Sequence, residues 1–257
     1  MGQQPSSPKP GTTLQVIGAG LPRTGTSSFT QALATLLDGP TYHGGTQITL
    51  GHPDTITHWI SILRDWLSND KHQAQKTLHQ ILSGYAAIAD APGSQLIPEL
   101  LELYPDAKVV CTVRDPDSWE KSLDNIRHVA TLWFLGVVLL PLPGMRHFVT
   151  YIDCLEKQWV RLYGERAPTR LTYEKHIRWL EEVVPPERLF FVDVKDGWGP
   201  LCQALGKDVP VGVPFPRVND SDAIDMTAKY HIRRGLVRWV GVFVVIGAVG
   251  LGLRKLW

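Results

Sequence analysis

Short apolar runs recur along this chain, each followed by a polar turn and an amphipathic stretch. "LQVIGAG" (Leu14–Gly20) reads as a buried strand ending in glycine. "SSFTQALATLL" (Ser27–Leu37) follows as a helix with Phe29, Leu33, Leu36 and Leu37 on one face. "YAAIAD" (Tyr85–Asp90) reads as a second strand, and "LIPELLELYP" as a helix that stops at Pro105. "AKVVCTVRD" (Ala107–Asp115) is a third strand, and "DSWEKSLDNIR" the helix after it, with Asp117 or Ser118 near its cap. "RLFFVDV" (Arg188–Val194) is a fourth strand, and "GPLCQALG" a short helix closed by Gly206. Apolar strands alternating with helices predict an α/β fold of three layers, a mostly parallel central sheet with helices on both faces. Ligands of such sheets sit beyond the carboxyl ends of the strands, and Arg23, Asp90 and Arg114 each follow such an end.

Two longer apolar stretches do not fit this alternation. "VATLWFLGVVLLPLPG" (Val129–Gly144) is short and broken by proline. It is compatible with a buried helix, with a lid or wall over an apolar substrate, or with contact to a membrane surface. "LVRWVGVFVVIGAVGLGLRKLW" (Leu236–Trp257) is uncharged from Trp239 to Leu253. Arg233, Arg234 and Arg238 precede that run, and Arg254 and Lys255 follow it. At about 1.5 Å per residue, 236–253 makes roughly 27 Å of helix, the thickness of a thin bilayer core. Trp239 and Trp257 suit its two interfaces. The pattern predicts a C-terminal transmembrane helix. Its larger basic cluster on the N-terminal side places the main domain in the cytosol, on the endoplasmic reticulum or another endomembrane.

The expected organisation is a disordered arm (1–13), an α/β domain (14–222), a linker (223–235) and a membrane tail anchor (236–257). "MGQQPSSPKPGTT" has no apolar periodicity and no secretory signal, but matches the myristoylation pattern through Gly2 and Ser6. A net charge of +1 gives no basic field for nucleic acid. Cys111, Cys154 and Cys202 are far apart and read as core residues of a reducing compartment, not as a disulfide framework or zinc site. Nine tryptophans hint at apolar pockets or membrane-proximal surface.

"GLPRTGTSS" lies between the first strand and helix with the spacing of a phosphate loop, except that Thr26 stands where a lysine should be. Helix N-termini bind anions through free N–H groups and the helix dipole. Gly25 allows close approach, and Thr24, Thr26, Ser27 and Ser28 add hydroxyls. Without the lysine the loop is a poor triphosphatase. It suits a single phosphate carrying one transferable group, with Arg23 beside that group. In "VVCTVRDPDSWEKSL", Arg114 ends a strand and Ser122 lies eight residues on, in the next helix. A guanidinium and a hydroxyl facing one crevice make a second phosphate clamp.

Together, "LPRTGTSSF" and "VRDPDSWEKSL" resemble the 5′-phosphosulfate loop and the 3′-phosphate site of sulfotransferases that use 3′-phosphoadenosine 5′-phosphosulfate. "TYHGG", "ADAPGSQLIPELLELYPDAKVV", "VDVKDGWGPLCQALG" and "VPFPRVND" are similar to a fungal branch of that family, and the resemblance spans about 14–220. It implies a fold like that of the P-loop NTPases, that donor as cosubstrate, and no metal. Many cytosolic members have lysine at the place of Arg23 and a Lys-Thr-His run where this chain has "AIADAP". Their catalytic histidine therefore has no match. Their Arg-Lys-Gly run is also not visible, and Lys195 and Arg217 are the substitutes considered.

The resemblance implies that Arg23 and the loop N–H groups stabilise charge on the departing phosphate and the sulfuryl oxygens. Asp90 is the first candidate for the base that deprotonates the acceptor, and His43 the second. The expected acceptor is a small alcohol or phenol, lipophilic in view of the apolar stretch and tail, in secondary metabolism. Two alternatives remain. In one, a transient sulfate ester leaves again, giving dehydration or cyclisation. In the other, the chain is a non-catalytic, tail-anchored nucleotide-binding protein.

Overall fold

The computed structural model describes residues 4–37, 39–130, 132–166, 168–218 and 220–254. Its sheet has five parallel strands in the order β2-β3-β1-β4-β5. These are β1 (Val16–Gly18), β2 (Thr41–His43), β3 (Ala87–Ala89), β4 (Lys108–Thr112) and β5 (Leu189–Val192). The strands are shorter than the apolar runs that announced them. β2 was not expected at all, since Thr-Tyr-His lies in no apolar run of the kind that contains the equally short β1 and β3. In chain order the helices are α1 (Thr26–Leu36), α2 (Gly44–Leu50), α3 (Thr55–Leu67), α4 (Lys71–Leu82), α5 (Ile97–Leu103) and α6 (Pro116–Ala130). They continue with α7 (Leu135–Leu139), α8 (Phe148–Tyr163), α9 (Arg170–Val183), α10 (Trp198–Leu205) and α11 (Asp220–Arg254).

Successive strand residues point to opposite faces, and the core divides accordingly. Ile17, Ile88, Val109 and Cys111 pack with Trp59, Leu63 and Leu78 of α3 and α4 and with Leu180 of α9. Val16, Ala87, Ala89 and Val110 pack on the other face with Phe29 and Leu33 of α1 and Leu201 of α10. The α/β architecture with helices on both faces is therefore present. The three cysteines are free and buried, as expected of core residues. Because β2 and β3 lie on one side of β1 and the chain then crosses to β4 and β5 on the other, the crevice beyond the carboxyl end of β1 is where a ligand fits.

Three parts of the expected organisation look different in the structure. The first is the N-terminal arm, read as disordered. Its residues 4–13 lie against the domain, where Ser6 Oγ donates to Thr41 O (2.6 Å) and Ser6 O accepts from Gln47 Nε2 and Tyr85 OH. Polar side chains and backbone groups hold this segment, which is why no apolar period announced it. Gly2 lies outside the described residues. The second is 223–235, read as a linker, which is helical and part of α11.

The third is the C-terminal transmembrane helix, which is not supported. Among the described residues no helix is long and apolar enough to cross a membrane. The uncharged run 239–253 makes about 22 Å of helix, short of a hydrocarbon core of about 30 Å. Residues 255–257 and the side chains at 250 and 252–254 lie outside the described set.

Phe29 is 1% exposed and fills the layer between α1 and the sheet. Replacement by alanine should lower stability by about 3–5 kcal/mol. Urea unfolding measures this, and a shift within error of zero would contradict the packing described.

Candidate functional site

The loop from Ala19 to Gly25 is pinned from three sides. At Gly20 a Cβ would collide with the Thr112 hydroxyl, so only glycine lets the loop lie on the end of β4. Thr24 Oγ1 donates to Leu21 O (2.7 Å) and lies 2.5 Å from Thr112 Oγ1. This hydroxyl, expected to face the ligand, instead ties the loop to β4. Trp119 of α6 donates its indole N–H to Pro22 O (2.8 Å). From behind, His176 Nε2–H donates to Ala19 O (2.7 Å), while its Nδ1 accepts from Tyr163 OH (2.8 Å). Burial pushes the His176 imidazole down to about 4, so it stays neutral and keeps this tautomer.

Gly25 has φ +91°, and a Cβ there would lie 2.6 Å from Val194 Cγ2. The helix α1 starts immediately afterwards with no side-chain cap. Its first-turn N–H groups therefore face the crevice as an anion site.

Arg23 and Asp90 both have φ 74°, and of the non-glycine residues only Asn69 shares that left-handed geometry among the described residues. Such strain concentrates at functional sites, and here it turns both side chains into one crevice. Arg23 Nε donates to Ser122 Oγ (3.0 Å). Arg114 Nη1 donates to Arg23 O (3.1 Å), and the Arg114 N–H donates to Tyr173 OH (3.0 Å). Arg114 and Ser122 were expected as a separate second clamp. Instead they meet through Arg23, making one basic corner. Asp115, not Asp117 or Ser118, caps α6, accepting at Oδ1 from the Ser118 N–H (2.9 Å). Lys195 and Arg217 are exposed. Each is next in sequence to a residue that touches the loop or α1: Val194 packs on Gly25, and the Val218 N–H donates to Ser28 Oγ (3.0 Å).

β2 and β3 bring in the opposite wall. His43 Nε2 lies 3.2 Å from Thr26 Oγ1, 3.3 Å from Ser27 Oγ and 3.8 Å from Asp90 Oδ2. Its Nδ1 accepts from the Thr46 N–H (3.3 Å) as the cap of α2. That bond uses the Nδ1 lone pair and puts the proton on Nε2, so His43 in this tautomer is a donor. Asp90 Oδ2 accepts from the Gly45 N–H (3.1 Å). The carboxylate is 8% exposed, oriented, and open to the crevice.

A cavity of about 710 Å³ runs from Arg23, Thr26, Ser27, His43 and Asp90 to an apolar end. Leu135 and Leu139 of α7, Phe148, Ile152 and Trp159 of α8, and Ile224 and Ile232 of α11 line that end. Burial pushes the Tyr151 phenol well up, so it lines the cavity as a neutral hydroxyl. Of the three readings of Val129–Gly144, the cavity wall is realised at Leu135 and Leu139. Among the described residues no cluster of three potential metal ligands is present.

The pattern of the sequence missed Thr112, Tyr163, Tyr173 and His176, which position the loop from far along the chain. Glycine at position 20 was the only hint that something must lie against it.

The sulfotransferase domain family model matches residues 15–224. A relative from Aspergillus versicolor, the Ava biosynthesis cluster protein M, is 29% identical over 257 residues, covering 95% of this chain and 96% of that protein.

The neutral His176 couples stability to pH. Its folded pKa lies below the unfolded value of 6.5, so the unfolded chain binds the extra proton. Stability is complete above 6.5 and is lost as pH falls toward about 4, by on the order of 3 kcal/mol. His176→Gln keeps an amide donor without the titration. Its melting temperature should therefore fall less than that of the wild type between pH 7 and pH 4.5, and equal falls would refute the assignment.

Proposed function

The chain belongs to the sulfotransferase family and is a transferase, and from that premise we propose that it moves a sulfuryl group from 3′-phosphoadenosine 5′-phosphosulfate to a hydroxyl of a lipophilic small molecule. The observation that carries this reading is the continuity of one cavity. It has an uncapped helix N-terminus and Arg23 at one end and an apolar pocket at the other. The donor supplies a sulfuryl group on a phosphate leaving group. The chain's own groups fit it, since first-turn N–H groups and two linked arginines stabilise negative charge on phosphate and sulfuryl oxygens.

Asp90 is the better base of the two candidates. In the transfer the acceptor oxygen bonds to sulfur, the bond from sulfur to the phosphate oxygen breaks, and the hydroxyl proton passes to the Asp90 carboxylate. His43 Nε2–H orients oxygens at the loop, because its Nδ1 is committed to Thr46. The apolar walls exclude water, which would otherwise compete as acceptor. A cavity of about 710 Å³ accommodates a drug-sized metabolite. The relative's description as a biosynthesis cluster protein is consistent with a secondary metabolite. Whether sulfate stays on the product or leaves to give dehydration or cyclisation is read from product mass, as a gain of sulfate or a loss of water.

Asp90→Asn should lower turnover by about 10²–10⁴-fold while 3′,5′-adenosine bisphosphate still raises the melting temperature. Arg114→Ala should weaken binding of that bisphosphate by about tenfold or more. Thermal shift and single-turnover assays separate the two effects. If ATP protects the wild type and the bisphosphate does not, the sulfuryl-transfer reading fails.

A further inference from the structure

We propose that α7 and α11 together form a lipid-facing platform that seats the protein on an anionic bilayer and lets the acceptor enter the cavity from the membrane. The proposal rests on the reading of the cavity as the acceptor site.

Each of the two helices lines the cavity and also exposes apolar side chains. On α7, Leu135 and Leu139 are 5% and 3% exposed and line the cavity. Val137, Leu140 and the preceding Trp133 point outward at 59%, 53% and 88%. On α11, Ile224, Thr227 and Ile232 line the cavity. The next turns clamp the two helices together. Gly235 lies so close to Val138 O that any Cβ would clash. Arg238 Nη1 donates to Pro141 O (2.9 Å) and Trp239 Nε1 to Val137 O (2.8 Å). Beyond Trp239 the helix leaves the domain, and Val240, Phe243, Val244 and Ile246 are more than half exposed. A contiguous apolar surface of this kind marks an interaction site. The two helices that wall the cavity also carry it, α7 on its outer side and α11 in the turns that follow its cavity-lining part.

Charge selects the occupant. No Asp or Glu occurs from Met226 to the C-terminus, nor between Asp124 and Asp153. Arg233, Arg234, Arg238 and Arg146 fall within those stretches. A second copy meeting this face isologously would set cation against cation. An anionic bilayer instead offers hydrocarbon to the valines and phosphates to the guanidiniums. A hollow of about 210 Å³ bordered by Arg234, Arg238 and Tyr230 sits where the two zones meet, placed for a phosphate headgroup. Trp133 and Tyr230 are amphipathic aromatics of the kind found at that level. Docked there, the cavity wall faces the lipid, and an apolar alcohol dissolved in the bilayer reaches the cavity without crossing water.

Flotation of the full-length protein with vesicles tests the surface. The protein should float with phosphatidylcholine vesicles containing phosphatidylserine, and less with phosphatidylcholine alone. Arg233→Gln/Arg234→Gln should weaken binding to anionic vesicles by about tenfold. Val240→Asp/Val244→Asp, at exposed positions, should abolish flotation with an unchanged melting temperature of the domain. It should turn over a vesicle-dissolved long-chain alcohol at least tenfold more slowly and a short water-soluble alcohol at the wild-type rate. Absence of flotation, or self-association in lipid-free buffer that the aspartates abolish, overturns the platform. Unchanged turnover of the vesicle-dissolved alcohol by the aspartate variant overturns loading from the membrane. If the wild type floats but sulfates neither alcohol, the reaction reading fails and the platform stands.

Discussion

The site depends on how closely the loop after β1 lies against the end of β4. The missing Cβ at Gly20 allows the approach, and the paired hydroxyls of Thr24 and Thr112 hold it. Everything with chemical consequence is measured from that contact. It fixes the backbone from Leu21 to Gly25, which aims the first turn of α1 and the Arg23 side chain. It also brings the loop within reach of Trp119 and Ser122 on α6, whose start is set by β4. The buried Tyr163, His176 and Ala19 chain of hydrogen bonds supports the same loop from behind. A neutral imidazole suits this task, because an acceptor and a donor nitrogen on a rigid ring span two fixed partners.

Two of the three left-handed non-glycine residues among the described residues lie at the candidate site. Arg23 and Asp90 both occupy the left-handed region, at about 1–3 kcal/mol each. Neither is a glycine, so the side chain has been kept despite the backbone cost. For Asp90 the return is visible in its contacts, since the carboxylate accepts from the Gly45 N–H and lies across from the loop hydroxyls. For Arg23 it is the bond from Nε to Ser122, which limits where the guanidinium plane can lie. Preorganised donors of this kind stabilise developing charge without reorganising.

Four of the five strands and the site loop were legible because apolar runs and glycines leave a local trace. β2 left none, because Thr-Tyr-His is polar at two of its three positions, whereas the equally short β1 and β3 lie in apolar runs. Yet it delivers His43, so the histidine was visible as a candidate while its role was not. The basic corner was legible as residues, and what spacing did not show is that Arg114 and Ser122 each bond to Arg23. The His176 support was illegible, because its partner is 157 residues away and no spacing rule covers such a contact. The arm, 223–235 and the C-terminal span were read from composition. Composition does not report the polar bonds that hold Ser6 or the helix that continues through 223–235.

The absent lysine at position 26 has a structural counterpart. Thr26 and Ser27 turn their hydroxyls toward His43 Nε2, so the place where a lysine would reach for a third phosphate is taken by a neutral contact to β2. A flexible cation there would remove the Thr26 hydroxyl from His43 and add charge beside Asp90, whose carboxylate lies 3.8 Å from the same nitrogen. Among the described residues the arginines that line the cavity are Arg23, Arg127 and Arg166, and the β2–β3 side carries the Asp90 carboxylate. Charge separated in this way suits the proposed transfer, which needs an anion site at one wall and a proton acceptor at the other.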